Sequence, residues 1–168
     1  MPMPSSKQEF LVQYNPDKQR VICQSKDDCF FGEYPTLARL KAYGASTPAS
    51  WLMPQLLNLS EFCGCRDKLS ISMIEELADI IAQEWYYLKV SELMLFFYWF
   101  KSGKYGRFYG SVDPLVITTS LREFVADRNE AISKREYEER KARREQSLEG
   151  CITREEYLKL KQQSNDNN

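Results

Sequence analysis

From Leu93 to Phe100 the chain runs through eight consecutive apolar residues, and this block constrains the fold more than any other segment. It must be buried, so the rest of the molecule has to supply walls on every side. Its aromatic content favours a strand. Ser91, however, is placed to cap a helix over Glu92–Ser102, Gly103 stands where that helix would stop, and the patterns on both sides are helical. The segment is therefore predicted as a buried central helix. Eight residues fall well short of the roughly 20 that cross a bilayer.

The neighbouring patterns supply the walls. Ser72 to Glu75 has capping-box spacing, and Ile74, Leu77, Ala78, Ile81, Trp85 and Leu88 fall on one face at helical spacing. Asp113-Pro114 pairs a cap with proline at the first helical position, and Val116, Ile117, Leu121, Phe124, Val125, Arg128 and Ile132 continue as a core-facing stripe. Past Ile132 the stripe ends. Glu130/Lys134, Glu136/Arg140 and Glu139/Arg143 are then spaced i,i+4, which predicts a long charged helix in solvent rather than a nucleic-acid arm. Gly150 is expected to break it, Thr153 to Glu156 to restart a short helix, and Ser164–Asn168 to be disordered.

Upstream, a short helix is predicted from Pro35 to about Tyr43 with Gly44 as its stop, followed by one that Thr47 caps and Pro48 opens. Pro54 is acceptable there only near the first turn. Residues 1–33 are the least regular. Two short apolar stretches, Glu9–Tyr14 and Arg20–Gln24, flank Asn15-Pro16-Asp17-Lys18, which suits a type I turn and suggests a β-hairpin. An extended arm over the helices is the alternative. The predicted class is all-α: a small helical bundle with an N-terminal hairpin or arm (1–33), a helical core (34–132), a charged helical extension (133–150) and a short helix with tail (151–168).

Composition excludes several functions. The chain has no histidine, which removes the commonest general base, the Cys-His and Ser-His pairs and every histidine-containing metal site. Glu75, Glu76, Asp79 and Glu84 read as a solvated helix face, so no catalytic residue is assigned and no enzyme is expected. Cys23, Cys29, Cys63 and Cys65 lack the paired Cys-x2-4-Cys spacing of zinc knuckles; neither a metal nor a cofactor is expected, and the thiols are read as reduced. The N-terminus shows no signal-peptide pattern and no stretch spans a membrane, which points to the cytoplasm and to no membrane partner.

A formal net charge of −1 leaves nucleic-acid binding to local charge separation, and the sequence has some. Residues 61–100 carry seven acids against three cations, whereas 101–108 carry Lys101, Lys104 and Arg107 with no acid. Between Lys101 and Pro114 these cations alternate with Tyr105, Phe108 and Tyr109 and with three glycines. Such a loop can neutralise phosphates and stack rings on bases through Lys101, Lys104, Tyr105, Arg107 and Tyr109. A helix connection that folds its rings onto the core accounts for the same residues. Gly103 to Gly106 matches the four-residue GXXG clamp of KH domains, but those need flanking strands, and no Walker phosphate loop occurs.

Glu75-Glu-Leu-Ala78, Tyr87-Leu-Lys-Val-Ser-Glu-Leu-Met-Leu-Phe-Phe97, Lys104-Tyr-Gly-Arg-Phe-Tyr-Gly-Ser-Val-Asp-Pro114 and Leu121-Arg-Glu-Phe-Val-Ala-Asp-Arg128 together resemble an uncharacterised family of small proteins from Bacteroides-type bacteria, often in prophages or integrative elements. The resemblance spans roughly residues 34–132 and brings no activity with it. It implies a non-catalytic accessory role in a mobile element, touching DNA or a replication protein through the 101–114 loop. The alternative is a protein–protein adaptor that uses the charged C-terminal helix and binds no nucleic acid.

Overall fold

The computed structural model describes residues 3–105, 108–149 and 158. Among them are eight α-helices and no strand: α1 (Lys7–Gln13), α2 (Gln19–Ile22), α3 (Lys26–Phe31), α4 (Leu37–Leu40), α5 (Thr47–Phe62), α6 (Ile71–Glu84), α7 (Val90–Lys101) and α8 (Pro114–Glu149). The chain divides into two compact units, residues 1–128 and 129–168.

In the first unit α7 is the buried axis, as its apolar run requires. Val90 to Phe97 and Phe100 are buried, and Tyr98, Trp99 and Lys101 reach partly toward solvent. α2, α3 and α5 pack against it, and α5 packs on α6. The α6 stripe is buried from Ile74 to Leu88 as its spacing predicted, and Ile117, Leu121 and Phe124 of α8 are fully buried. Asp113 caps α8 by accepting from the Leu115 N–H at 2.8 Å.

The N-terminal hairpin does not form. Residues 9–24 are α1, a 3-10 turn over Pro16–Lys18, and α2. Ser6 caps α1 by accepting from the Glu9 N–H, and Phe10 and Tyr14, one helical turn apart, put both rings into the core. Asn15 accepts from the Asp17 N–H, so Asn15-Pro16-Asp17 opens a tight helix instead of reversing a strand. The segment is also not an extended arm, since α5 holds it: Trp51 Nε1 and Gln55 Nε2 both donate to the Tyr14 carbonyl, at 2.8 and 2.9 Å.

Three cap assignments shift. Ser70, not Ser72, caps α6, accepting from the Met73 N–H. α7 starts at Val90, where the Glu92 carboxylate accepts from the Lys89 N–H at 2.8 Å, and Ser91 instead donates its hydroxyl to the Cys29 carbonyl. Thr47 lies inside α5 with its hydroxyl buried and unpartnered among the described residues. Pro54 is well inside the same helix, on its exposed side, where water can meet the carbonyl that a proline leaves without a donor. Lys89 Nζ donates to the carbonyls of Phe30 and Gly32 at the end of α3, the helix terminus that favours a cation. The Glu92 carboxylate, wholly buried, meets Arg128 Nε at 2.5 Å.

In the second unit the described residues from 133 to 147 are exposed. The ion pairs there are Arg135–Glu139, Glu136–Arg140 and Lys141–Glu145, so of the expected acid-first pairs Glu136/Arg140 is present while Glu139 turns back to Arg135. The expected break at Gly150, the helix start at 153 to 156 and the disordered tail lie outside the described residues.

Candidate functional site

The 101–114 loop is anchored at both ends. At its start, Gly103 N–H and Lys104 N–H donate back to the Phe100 and Trp99 carbonyls, with Gly103 at φ 84°. At its end, the Asp67 N–H donates to the Gly110 carbonyl at 3.2 Å and the Val112 N–H to the Asp67 carbonyl at 2.9 Å, an isolated parallel bridge to the α5–α6 connection. Gly110, at φ 82°, takes a conformation that favours glycine.

The four described residues of the five expected contacts do not share one surface. Lys101 is half-buried on the last turn of α7, and its Nζ donates to Asn58 Oδ1 of α5 at 2.8 Å. Burial lowers its pKa, and the charges of Cys23, Asp17 and Cys63 oppose that shift. Lys104 is exposed and turns to α8: its Nζ lies 2.8 Å from Asp127 Oδ2 and 3.7 Å from the centre of the Trp99 ring. The two cations are thus held on different helices.

Tyr105 is only 4% exposed, its ring 5.7 Å from that of Phe96, so it belongs to the core and presents no face for stacking. Its hydroxyl has no partner among the described residues, and burial, with Asp127 and Glu123 nearby, raises its pKa. Phe108 stacks on Phe100 at 5.3 Å. Tyr109, by contrast, is 90% exposed. Arg107 and Gly106 lie outside the described residues. Two of the loop's rings thus fold inward while one stands in solvent.

The described cysteines fall into two groups. Cys23 and Cys29 are buried together, Cys29 donating to the Ile22 carbonyl, whereas Cys63 and Cys65 are partly exposed at the end of α5. Among the described residues no three Cys, Asp or Glu side chains come together as a metal site. No described helix is long and apolar enough to cross a membrane.

A family model matches residues 68–168, more than half of the chain, and takes in α6, α7, the loop and α8. The chain belongs to DUF6633, a family of unknown function. The DUF6633 match starts further along than the resemblance at 34–132 and leaves α1 to α5 outside the matched residues. It includes the anchored loop and Tyr109, and also Asp67's neighbour Lys68 at its first position. No curated protein and no solved structure matches the chain.

Proposed function

We propose that this protein is a non-catalytic accessory protein of a phage or mobile element, from a Bacteroides-type bacterium, that binds DNA or a replication protein through the 101–114 loop. The observation that carries this reading is Tyr109. A large aromatic side chain 90% in solvent, on a loop whose root is fixed by the Asp67 backbone, is suited to stacking on a base. Lys104 and Arg107 belong to the same loop and would supply charge, and Lys101 adds a cation at the end of α7. Tyr105 takes no part in the contact. The lack of histidine favours a binding role over catalysis, and an interior cell location follows from the same reading.

Fluorescence anisotropy with single- and double-stranded oligonucleotides tests the proposal. Replacing Lys104 and Arg107 together by alanine flattens the log–log salt slope for duplex DNA by about two. Tyr109→Ala weakens single-strand binding by about 1–3 kcal/mol with little change in slope. Absence of binding by the folded wild type at low salt sinks the nucleic-acid reading. The second reading, an adaptor, draws on Tyr137, 68% exposed among the ion pairs of α8; a truncation after Ile132 that abolishes partner capture would favour it.

A further inference from the structure

A groove of about 410 Å³ opens beside Lys101, between the Pro16–Lys18 turn with α2, the end of α5 and the end of α7. Its size lies within the range of small-ligand sites. One of the residues that line it is Gln19, which is 1% exposed. The Gln19 amide nitrogen donates to Gln55 Oε1 at 2.6 Å, and Gln55 in turn donates to the Tyr14 carbonyl, so this chain of bonds fixes which end of the Gln19 amide is left over. The leftover atom is Oε1, a buried acceptor with no partner among the described residues. Such an atom is left without its hydrogen bond, and a donor in the groove would supply one once the Gln19 amide turns toward it.

The rest of the lining narrows the donor's chemistry. Phe62 is 62% and Tyr98 38% exposed, two rings left in water on α5 and α7. Lys101 Nζ lies 5.6 Å from the centre of the Phe62 ring, and Arg20 adds a second cation against the single carboxylate of Asp17. Flat rings, an orphaned acceptor and one net positive charge are together complementary to a flat heterocycle with N–H donors and an attached phosphate.

We propose that this groove binds one nucleotide, its base against Phe62 and Tyr98 with an N–H donating to Gln19 Oε1, and its phosphate toward Lys101 and Arg20. Asp17 is then available to a ribose hydroxyl or an exocyclic amine, and its charge disfavours the triphosphate. The nucleotide is either a free nucleoside monophosphate or one residue of a single strand; in the strand case the inference rests on the nucleic-acid reading above.

The test uses the full-length protein with two probes: a fluorescein-labelled single-stranded hexanucleotide read by anisotropy, and unlabelled nucleoside monophosphates read by their shift of the Gln19 side-chain amide resonance. Phe62→Ala and Arg20→Ala alter exposed side chains, so circular dichroism should show both folded. Each is expected to weaken binding at least about fivefold, the lower end of base stacking for Phe62. Phe62-dependent monophosphate binding identifies a free nucleotide as the ligand; Phe62-dependent hexanucleotide binding alone identifies a strand. If both variants bind both probes as the wild type does, the groove is not the site, and a remaining sensitivity to Lys104→Ala would leave the loop reading standing. If monophosphates bind and the hexanucleotide does not, the groove stands and single-strand binding by the loop falls. No binding of either probe overturns the groove, with water as the occupant of the Gln19 acceptor.

Discussion

Tyr105 carries a hydroxyl into the core where the described residues offer it nothing to bond. Its ring contributes packing and its oxygen only a desolvation cost, so Tyr105→Phe should leave stability unchanged or raise it by up to about 1 kcal/mol, measured by denaturant melts. The same burial makes a pH signature. Desolvation raises the Tyr105 pKa above its ordinary 10.0, so the folded form holds its proton where the unfolded form has begun to lose it. That stability is complete below about pH 10 and decays as pH rises toward the folded value, at about 1.4 kcal/mol per pH unit for one proton. Tyr14 and Tyr34, also raised by burial, add to the slope. Tyr105→Phe should therefore melt less steeply with rising alkalinity than the wild type; identical slopes would mean that the phenol is solvated. Nothing in the loop's sequence separates Tyr105 from Tyr109. Both are tyrosines within five residues of one another, in a segment without periodicity, and only the tertiary fold sends one inward.

Helices of three turns or more were legible because their pattern repeats. α6 and the start of α8 show their buried faces as stripes, and α7 shows none because it is apolar nearly all round. Phe97 is fully buried on that axis, and Phe97→Ala should cost about 3–5 kcal/mol in a denaturant melt; a loss under about 1 kcal/mol would place the ring outside the core. The short helices were not legible. α1, α2 and α3 have seven, four and six residues, so each shows its face once or twice and no period can be counted. Phe10 and Tyr14, four residues apart, were the one signal of α1, and the Asn15-Pro16 pair disguised it because it opens a 3-10 turn as readily as it reverses a hairpin. Caps slipped by one or two residues for a similar reason: Ser70 and Ser72 are both able acceptors, and Leu69, buried with its N–H on Ser60 Oγ, decides where the chain enters α6. Of the groove, only Lys101 was singled out in the sequence; Gln19, Phe62 and Tyr98 come from three separate helices and share no spacing.

The first unit depends on parts far apart in the chain. A fragment of residues 68–168, the family-matched portion, would lack α2, α3 and α5 and so leave most of α7 without walls. Such a fragment should bind a hydrophobic dye and lose its circular dichroism signal gradually on heating; a sharp melt close to that of the full chain would show that α7 finds other cover. The bonds that tie the N-terminal helices in place have long sequence spans: 37 residues from Tyr14 to Trp51 and 62 from Cys29 to Ser91. Helical proteins usually fold fast because their contacts are local, and these long-span bonds are the part of the fold that must wait. On the ribosome, at about 5–20 residues per second, the Cys29 carbonyl waits roughly 3–12 s for the hydroxyl that will bond it. For that interval Phe30 travels uncovered, whereas Phe10 and Tyr14 wait only for Trp51 of α5, and the nascent chain is most open to chaperones and proteases just before α7 emerges.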